Sequence, residues 1–155
     1  MTAQDPTMYE FAGGAEVWHR VAAAQYRRCL TDPVLNQVFG TEGRPEHADH
    51  LATWLSEVFG GPDGYTKELG GHGGLLRHHA NLGITEPQRA RFVEVFLEAA
   101  DEVGLPADPR FRLRLAQYLD WGSAIALEVS QPGADVTSTD PVPHWGWGPA
   151  GAPTA

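Results

Sequence analysis

The sequence predicts an all-α protein with a single domain. Four long segments place apolar side chains three or four residues apart, the spacing that gathers them on one face of an α-helix. Glycine- and proline-rich stretches separate these segments, and no alternating pattern of comparable length predicts a β-strand. The length of 155 residues is also about that of one domain.

The first two long helices have apolar stripes and clear end signals. We predict the first over Ala15–Leu30, directly after the glycine pair Gly13-Gly14. The second is predicted over Glu46–Phe59. Gly60-Gly61-Pro62 ends it, because the glycines release the backbone and the proline ring blocks a further helical turn.

Two stretches between the long helices hold too many glycines and prolines for regular structure. Asp32-Pro33 interrupts the first helical pattern, so Val34–Phe39 forms a turn or two at most. The glycines between Asp63 and Gly74 predict a flexible, weakly structured loop. A short helical turn at Leu75–Ala80 follows it.

The third long helix begins at Thr85, which forms a capping box with Gln88 in the sequence, and it ends near Gly104. The fourth is predicted over Asp108–Ser130, where another apolar stripe recurs with helical spacing.

The remaining residues are rich in proline and cannot form a regular helix. We therefore divide the chain into a domain of residues 1–130 and a tail of residues 131–155. Trp145 and Trp147 are large and apolar, so we expect them to dock the tail on the domain.

Charge and cysteine content exclude several classes of function. The net charge of −9 disfavours nucleic-acid binding, because phosphates would be repelled from most of the surface. The single cysteine, Cys29, excludes an internal disulfide, an iron–sulfur cluster and a cysteine-type zinc site, and it predicts a reducing compartment. No signal peptide or membrane span is recognisable, so we expect a cytoplasmic protein without membrane contact.

Histidines are the residues best suited to chemistry. The phosphate-binding, zinc-protease and nucleophile-elbow motifs do not occur. His47 lies on the apolar stripe of the second helix, and His78 and His79 lie beside leucines after the glycine-rich stretch. On the residues alone, these histidines are either metal ligands or ordinary hydrogen-bonded side chains.

Several local motifs, in their order and spacing, resemble those of the truncated haemoglobins, particularly the second group of that family. The motifs are Gly13-Gly14; Gln25-Tyr26 with Asp32-Pro33-Val34-Leu35 and Phe39; Trp54 and Leu55 with Phe59-Gly60-Gly61-Pro62; and Arg77-His78-His79-Ala80-Asn81-Leu82-Gly83-Ile84. The third and fourth long helices then follow in register with the family pattern. The tail and the residues before Gly13 are expected to lie outside the shared core.

The resemblance implies a two-over-two helical sandwich around haem b, with the first two long helices crossing the last two. It assigns the role of iron ligand to His79, because Ala80 and Ile84 follow it as the family pattern requires. Only one of two adjacent helical residues can face the iron, so His78 is the alternative ligand and otherwise faces the propionates or solvent.

The resemblance also implies the rest of the site. Tyr26 and His47 match the positions that face the bound ligand, where His47 would donate to the ligand, gate access or bind ferric iron. Phe39 and Leu51 match haem contacts, and Phe92 stands where second-group members usually carry a tryptophan, so an indole donor is missing. Three further residues near the glycine-rich stretch are candidates for pairing with propionates or contacting haem: Tyr65, Lys67 and Arg77.

The implied function is reversible binding of dioxygen and other small ligands such as nitric oxide, carbon monoxide or sulfide, by a monomer or a homodimer. Converting dioxygen and nitric oxide into nitrate, or reducing peroxide, would require an external reductase, because the sequence shows no flavin or nicotinamide site.

Two other classes remain open. One is a non-haem metal protein that uses the side chains His47, His50 and His79 with Asp49 or Glu46. The other is a metal-free helical interaction domain, in which the same apolar stripes form an ordinary core and every histidine is incidental.

Overall fold

A computed structural model describes residues 5–149 and 151–153, and every regular element within them is an α-helix. The all-α prediction is therefore confirmed. The helices are α1 (Met8–Ala12), α2 (Ala15–Thr31), α3 (Asn36–Phe39), α4 (Pro45–Val58), α5 (Gly64–Glu68), α6 (Gly71–His79), α7 (Glu86–Val103) and α8 (Pro109–Val129). Among the helices of the described residues, none is long and apolar enough to cross a membrane.

Helix α2 lies at the centre of the packing. It contacts α4 on one side and α7 on the other, and α7 in turn packs against α8. These contacts reproduce the two predicted helix pairs. The largest fully buried side chains of the main core come from these helices, from α1 and from the end of α4: Trp18, Phe59, Phe96, Phe111, Met8, Leu55 and Leu115.

The four long helices begin and end close to the predicted residues. The capping box at the start of α7 is formed in both directions, from the Gln88 N–H to Thr85 Oγ1 at 3.3 Å and from the Thr85 N–H to Gln88 Oε1 at 3.0 Å. Gly104 ends this helix in a left-handed conformation with φ 75°, which glycine adopts without steric cost.

The prediction of a flexible loop from Asp63 to Gly74 is wrong, because α5 and the first half of α6 occupy that stretch. Tertiary contacts outweigh the low helix propensity of the glycines. The carboxylate of Glu57, a buried residue of α4, accepts hydrogen bonds from both the backbone N–H, at 2.9 Å, and the hydroxyl of Thr66. This contact holds α5 against the core.

The segment before Gly13, which we expected to lie outside the core shared with the truncated haemoglobins, contains helix α1. Thr7 and Glu10 form a capping box at the start of α1, a signal that the sequence contains. The helix buries Met8 completely, and the Tyr9 N–H donates to the Phe59 carbonyl at 2.9 Å. The N-terminal helix is therefore part of the packed core.

Residues 131–149 and 151–153 of the tail contain no helix, and they lie against the domain. Trp147 is buried and donates from its indole N–H to the Pro6 carbonyl at 2.8 Å. The Trp145 backbone N–H donates to the Val58 carbonyl at 2.7 Å, and the Arg114 guanidinium lies 4.5 Å above its indole ring. Both tryptophans thus contact the domain.

Asp32 connects the end of α2 to α7. Its carboxylate accepts hydrogen bonds from the backbone N–H groups of Val34, at 2.9 Å, and Leu35, at 3.1 Å. It also accepts one from Arg91 Nε at 2.7 Å, and its side chain is only 9% exposed. One carboxylate therefore closes the turn after α2 and joins the turn to α7.

We predict that Asp32→Ala lowers the free energy of unfolding by about 2 kcal/mol, because it removes three hydrogen bonds to a nearly buried carboxylate. Urea denaturation would measure the change. Asp101→Ala is the matched control, since that carboxylate is 75% exposed and pairs with Arg112 at the surface; the expected loss is under about 1 kcal/mol. Equal losses in the two variants would contradict the role of Asp32.

Candidate functional site

An internal cavity of about 420 Å³ lies between α2, α4, α6, α7 and α8. This volume is in the range of pockets that enclose an organic ligand. Most of the lining is apolar or aromatic. The predicted site residues that line it are Tyr26, Phe39, His47, Leu51, Tyr65, His78, His79 and Phe92.

His79 ends α6 and is half-buried at the cavity wall. Its Nδ1 lies 2.9 Å from the Leu75 carbonyl oxygen, one helical turn earlier. A carbonyl oxygen only accepts hydrogen bonds, so Nδ1 carries the proton and Nε2 keeps its lone pair. Burial lowers the pKa of His79 below its ordinary value, and the nearby His78 adds to the effect. His79 is therefore a neutral imidazole suited to bind a metal ion.

His78 also lines the cavity, but it is exposed and lies at the cavity edge. Its ring centroid is 6.1 Å from that of His79 and 6.3 Å from that of His47. Of the two adjacent histidines, His79 is the one with a hydrogen bond that fixes its ring and tautomer.

Tyr26 and His47 form a second polar group in the cavity wall. Their rings stack with centroids 4.4 Å apart. The Arg44 backbone N–H donates to the Tyr26 phenol oxygen at 2.9 Å, which occupies an acceptor site and leaves the phenol proton available to a ligand. The two side chains come from α2 and α4, so the packing of these helices brings them together.

The environment of His47 keeps its ring neutral. Partial burial, reinforced mainly by the neighbouring His78 and His50, lowers the pKa of His47 to about 4. The ring therefore has one donor and one acceptor nitrogen at neutral pH. It contacts Phe39 edge to face, with centroids 5.5 Å apart.

Aromatic and aliphatic side chains complete the predicted walls. Phe39 and Phe92 stack with centroids 6.3 Å apart, and Leu51 packs on the edge of the main core. Tyr65 is buried and meets the Trp54 ring edge to face at 5.0 Å. These residues form an apolar surface rather than a charged one.

Lys67 and Arg77 are not brought to the cavity. Lys67 pairs with Asp63 one turn earlier on α5, at 3.3 Å, and its side chain is 71% exposed. Arg77 is exposed on α6 and lies near Gly70 and Gly73. Neither side chain belongs to the lining that holds the other predicted residues.

Sequence reasoning did not identify Gln25 as part of the site. Its side chain is 1% exposed and lines the cavity, and its Nε2 makes a long contact of 3.5 Å with the Phe92 carbonyl. Its Oε1 has no hydrogen-bond partner among the described residues. The sequence does contain a sign of this role. Gln25 is a polar residue on the apolar stripe of α2, seven residues after Trp18 and four before Cys29.

Trp54 and Tyr118 are a second pair that sequence reasoning did not place in the site. The Trp54 indole N–H donates to the Tyr118 phenol oxygen at 2.6 Å, and both residues are buried in the lining. Trp54 and Tyr118 lie in the second and fourth predicted helices, but their separation of 64 residues gives no sign of their contact.

The histidines do not form a non-haem metal site. Among residues 5–149 and 151–153, no three histidine, cysteine, aspartate or glutamate side chains gather closely enough to hold a metal ion. The structure therefore does not favour the metal protein that would use His47, His50 and His79 with Asp49 or Glu46.

The cavity instead suits a cofactor that brings its own metal ligands. A large apolar lining, one neutral histidine nitrogen and a separate phenol donor match what haem requires of a protein. The residues present thus fit the haem that the sequence resemblance implies.

Comparisons with known proteins agree with this arrangement. A family model described as bacterial-like globin matches residues 7–118. A curated relative, the Group 1 truncated hemoglobin GlbN of Nostoc sp. (strain MUN 8820), is 26% identical over 102 residues, which cover 66% of this chain and 82% of that protein.

Solved structures give the same result. The hemoglobin of Chloroflexus aurantiacus is 29% identical with a TM-score of 0.69, and the match covers 79% of this chain and 98% of that one. The Group II truncated hemoglobin of Bacillus anthracis is 23% identical with a TM-score of 0.72, and the match covers 81% of this chain and 93% of that one. At that lower identity, the second likeness concerns the fold alone.

The low pKa of His47 predicts a pH dependence of the cofactor-free protein. Between pH 6.5 and about 4 the unfolded chain takes up a proton at this residue and the folded chain does not, so the free energy of unfolding falls as the pH falls. We expect His47→Gln to reduce the free energy of unfolding lost over this pH range by about 1–2 kcal/mol. His79 should contribute part of the pH dependence that remains in this variant.

Urea denaturation at several pH values would measure this effect. His144→Gln is the control, because His144 is exposed and lies outside the cavity lining. If His47→Gln and the wild type lose stability equally between pH 6.5 and 4, the burial of a neutral His47 is wrong.

Proposed function

Because this chain belongs to the bacterial-like globin family, we propose that its cavity holds haem b and that the protein reversibly binds dioxygen and other diatomic ligands there. Family membership and the similar structures establish a haem-binding globin, and the two-over-two helical fold is confirmed. The observation that carries the detailed proposal is the hydrogen bond from His79 Nδ1 to the Leu75 carbonyl, which leaves Nε2 available.

In this proposal His79 holds the cofactor. Its Nδ1–H donates to the Leu75 carbonyl, which prevents the ring from turning and keeps electron density at Nε2. Haem supplies an iron atom with one coordination position open to small ligands. Phe39, Leu51 and Phe92 form apolar walls that exclude water from the haem.

Tyr26 and His47 act on the ligand. A diatomic ligand that gains negative charge is stabilised by a hydrogen-bond donor at short range. The bond from the Arg44 N–H uses only a lone pair of the Tyr26 phenol oxygen, so the phenol proton remains available to the ligand. His47, stacked on the phenol, orients it and offers a second donor.

Phe92 limits this stabilisation. It lacks the indole donor that second-group truncated haemoglobins usually carry at the matching position, so Tyr26 and His47 provide the hydrogen bonds. We therefore expect ligand release to be faster than from a pocket with three donors. The domain of residues 1–130 with its docked tail forms the binding unit, and any catalytic turnover of nitric oxide or peroxide would depend on a separate reductase.

An absorption spectrum tests the proposal directly. The purified protein, supplied with haem, should show a Soret band that shifts on reduction with dithionite and again under carbon monoxide. A folded protein that stays colourless with excess haem would refute the proposal and would favour the alternative of a metal-free interaction domain.

The assignment of the iron ligand makes a prediction about two adjacent residues. His79→Ala should abolish haem retention, because it removes the only histidine whose tautomer is fixed at the wall. His78→Ala is the matched control and should retain haem, since His78 is exposed at the cavity edge. Gel filtration followed by the Soret absorbance of the protein peak measures both, and the reverse pattern would move the ligand to His78.

The ligand-facing role of Tyr26 predicts a kinetic change. Tyr26→Phe should raise the dioxygen dissociation rate more than about tenfold, because it removes a hydrogen bond of about 1.5 kcal/mol to a polar ligand. Stopped-flow displacement by carbon monoxide measures the rate. Tyr65→Phe is the control, since Tyr65 is buried against Trp54 in another part of the wall. An unchanged rate in Tyr26→Phe would transfer the role to His47.

A further inference from the structure

We propose that residues 130–138, which lie beyond the part of the chain matched by the family model, position the iron ligand by holding the His79 segment, residues 71–84, at both ends. This inference rests on the proposed function, since it takes His79 as the ligand. Ser138 is the positioning residue at the start of the segment, and Ser130 is the positioning residue at its exit.

Helix α6 is weak by itself. Its nine residues include Gly71, Gly73 and Gly74, and glycine is among the poorest helix formers. The helix begins after Gly70, which has φ 91° and provides no side-chain cap. A short helix of this composition depends on tertiary contacts for its stability.

Ser138 provides such a contact at the start of the helix. Its Oγ lies 2.7 Å from His72 Nδ1, so the two side chains are hydrogen bonded. Its carbonyl oxygen would lie 2.8 Å from a Cβ atom placed on Gly73, a distance that real Cβ atoms do not tolerate. The tail backbone therefore approaches α6 at a position where only glycine leaves room.

Ser130 holds the exit from the helix. The chain turns sharply after His79, with Asn81 and Gly83 in the left-handed region at φ 63° and 64°. The Gly83 N–H donates to the Ser130 carbonyl, and the Ile84 N–H donates to Ser130 Oγ, both at 2.9 Å. Ser130 is fully buried, so its end of this connection is shielded from water.

Gln131 adds a third bond at the exit. Its Nε2 donates to the Ile84 carbonyl at 2.9 Å and also to the Leu127 carbonyl of α8 at 2.8 Å. The exit of the His79 segment is thus bound to the end of α8, whose position the core determines.

The tail is itself anchored to the core beyond Ser138. Val142 is 2% exposed, and the Trp145 N–H donates to the Val58 carbonyl. Arg114 Nε donates to the Gly146 carbonyl at 2.7 Å. Ser138 therefore lies between two fixed points, the end of α8 and this anchored stretch, and it can resist movement of α6.

Ser138→Ala tests the inference in the full chain. The variant removes two hydrogen bonds of Ser138 Oγ, the one with His72 and the one accepted from the Asp140 N–H at 3.1 Å. We expect the haem dissociation rate of the ferric protein, measured by transfer to an excess of an acceptor apoglobin, to rise at least about fivefold, the effect of losing the bond with His72. Hydrogen exchange of the backbone amides of residues 71–79 should accelerate by a similar factor. The iron–histidine stretching frequency of the ferrous protein should shift, because the ring position of His79 changes.

Two variants serve as controls. Thr137→Ala removes the neighbouring hydroxyl, which bonds only within the tail, to Asp135 Oδ1, at 2.6 Å; it should leave all three measurements unchanged. Ser138→Thr keeps the hydroxyl and should therefore keep the wild-type iron–histidine stretching frequency. Equal changes in Thr137→Ala and Ser138→Ala would overturn the inference, because they would indicate general loosening of the tail.

Gly73→Ala tests the same contact from the helix side. The added methyl group should displace Ser138 and raise the haem dissociation rate at least as much as Ser138→Ala does. Gly146→Ala is the matched control, since a Cβ atom there meets no other atom within 4 Å. Wild-type behaviour of both Ser138→Ala and Gly73→Ala would refute the inference alone. Retention of haem by His79→Ala would remove the ligand assignment on which the inference rests, whereas a folded wild-type protein that stays colourless with excess haem would refute the proposed function itself.

Discussion

The position of α2 between α4 and α7 is the constraint on which the rest of the structure depends. One stripe of this helix buries Trp18 and Val21 in the main core. The same stripe continues to Gln25 and Tyr26 at the cavity wall. Because the two ends belong to one rigid helix, packing at the first end determines where the phenol lies at the other. Asp32 then connects the end of α2 to α7 through Arg91.

The cavity is enclosed by elements of unequal strength. Helices α2, α4, α7 and α8 bury large apolar side chains in the main core. Helix α6 does not, because glycine makes up a third of its nine residues and its start lacks a side-chain cap. The residue that would bind iron therefore lies on a weak element of the wall, and contacts from Ser130 and Ser138 compensate for this weakness. Stability near the proposed iron ligand thus depends on residues remote in the sequence.

The histidines illustrate how environment separates residues of the same type. His79 has its Nδ1 proton fixed by a carbonyl of its own helix, whereas His78, the next residue, lies exposed at the cavity edge. His47 is stacked on Tyr26, and its pKa is lowered to about 4 by burial and neighbouring histidines. His72 also lines the cavity, and it supports the helix through Ser138. One residue type thus serves as proposed iron ligand, edge residue, wall residue and structural contact.

The sequence by itself determined the four long helices, and eight of its ten candidate site residues line the cavity. Apolar spacing and capping signals such as Thr85 with Gln88 act locally, so they can be read without the fold. Only the tertiary structure decided that the stretch Asp63–Gly74 is helical, that Lys67 and Arg77 stay outside the cavity, and that Ser138 touches α6. These features depend on contacts between residues far apart in the chain, and no local propensity encodes such contacts.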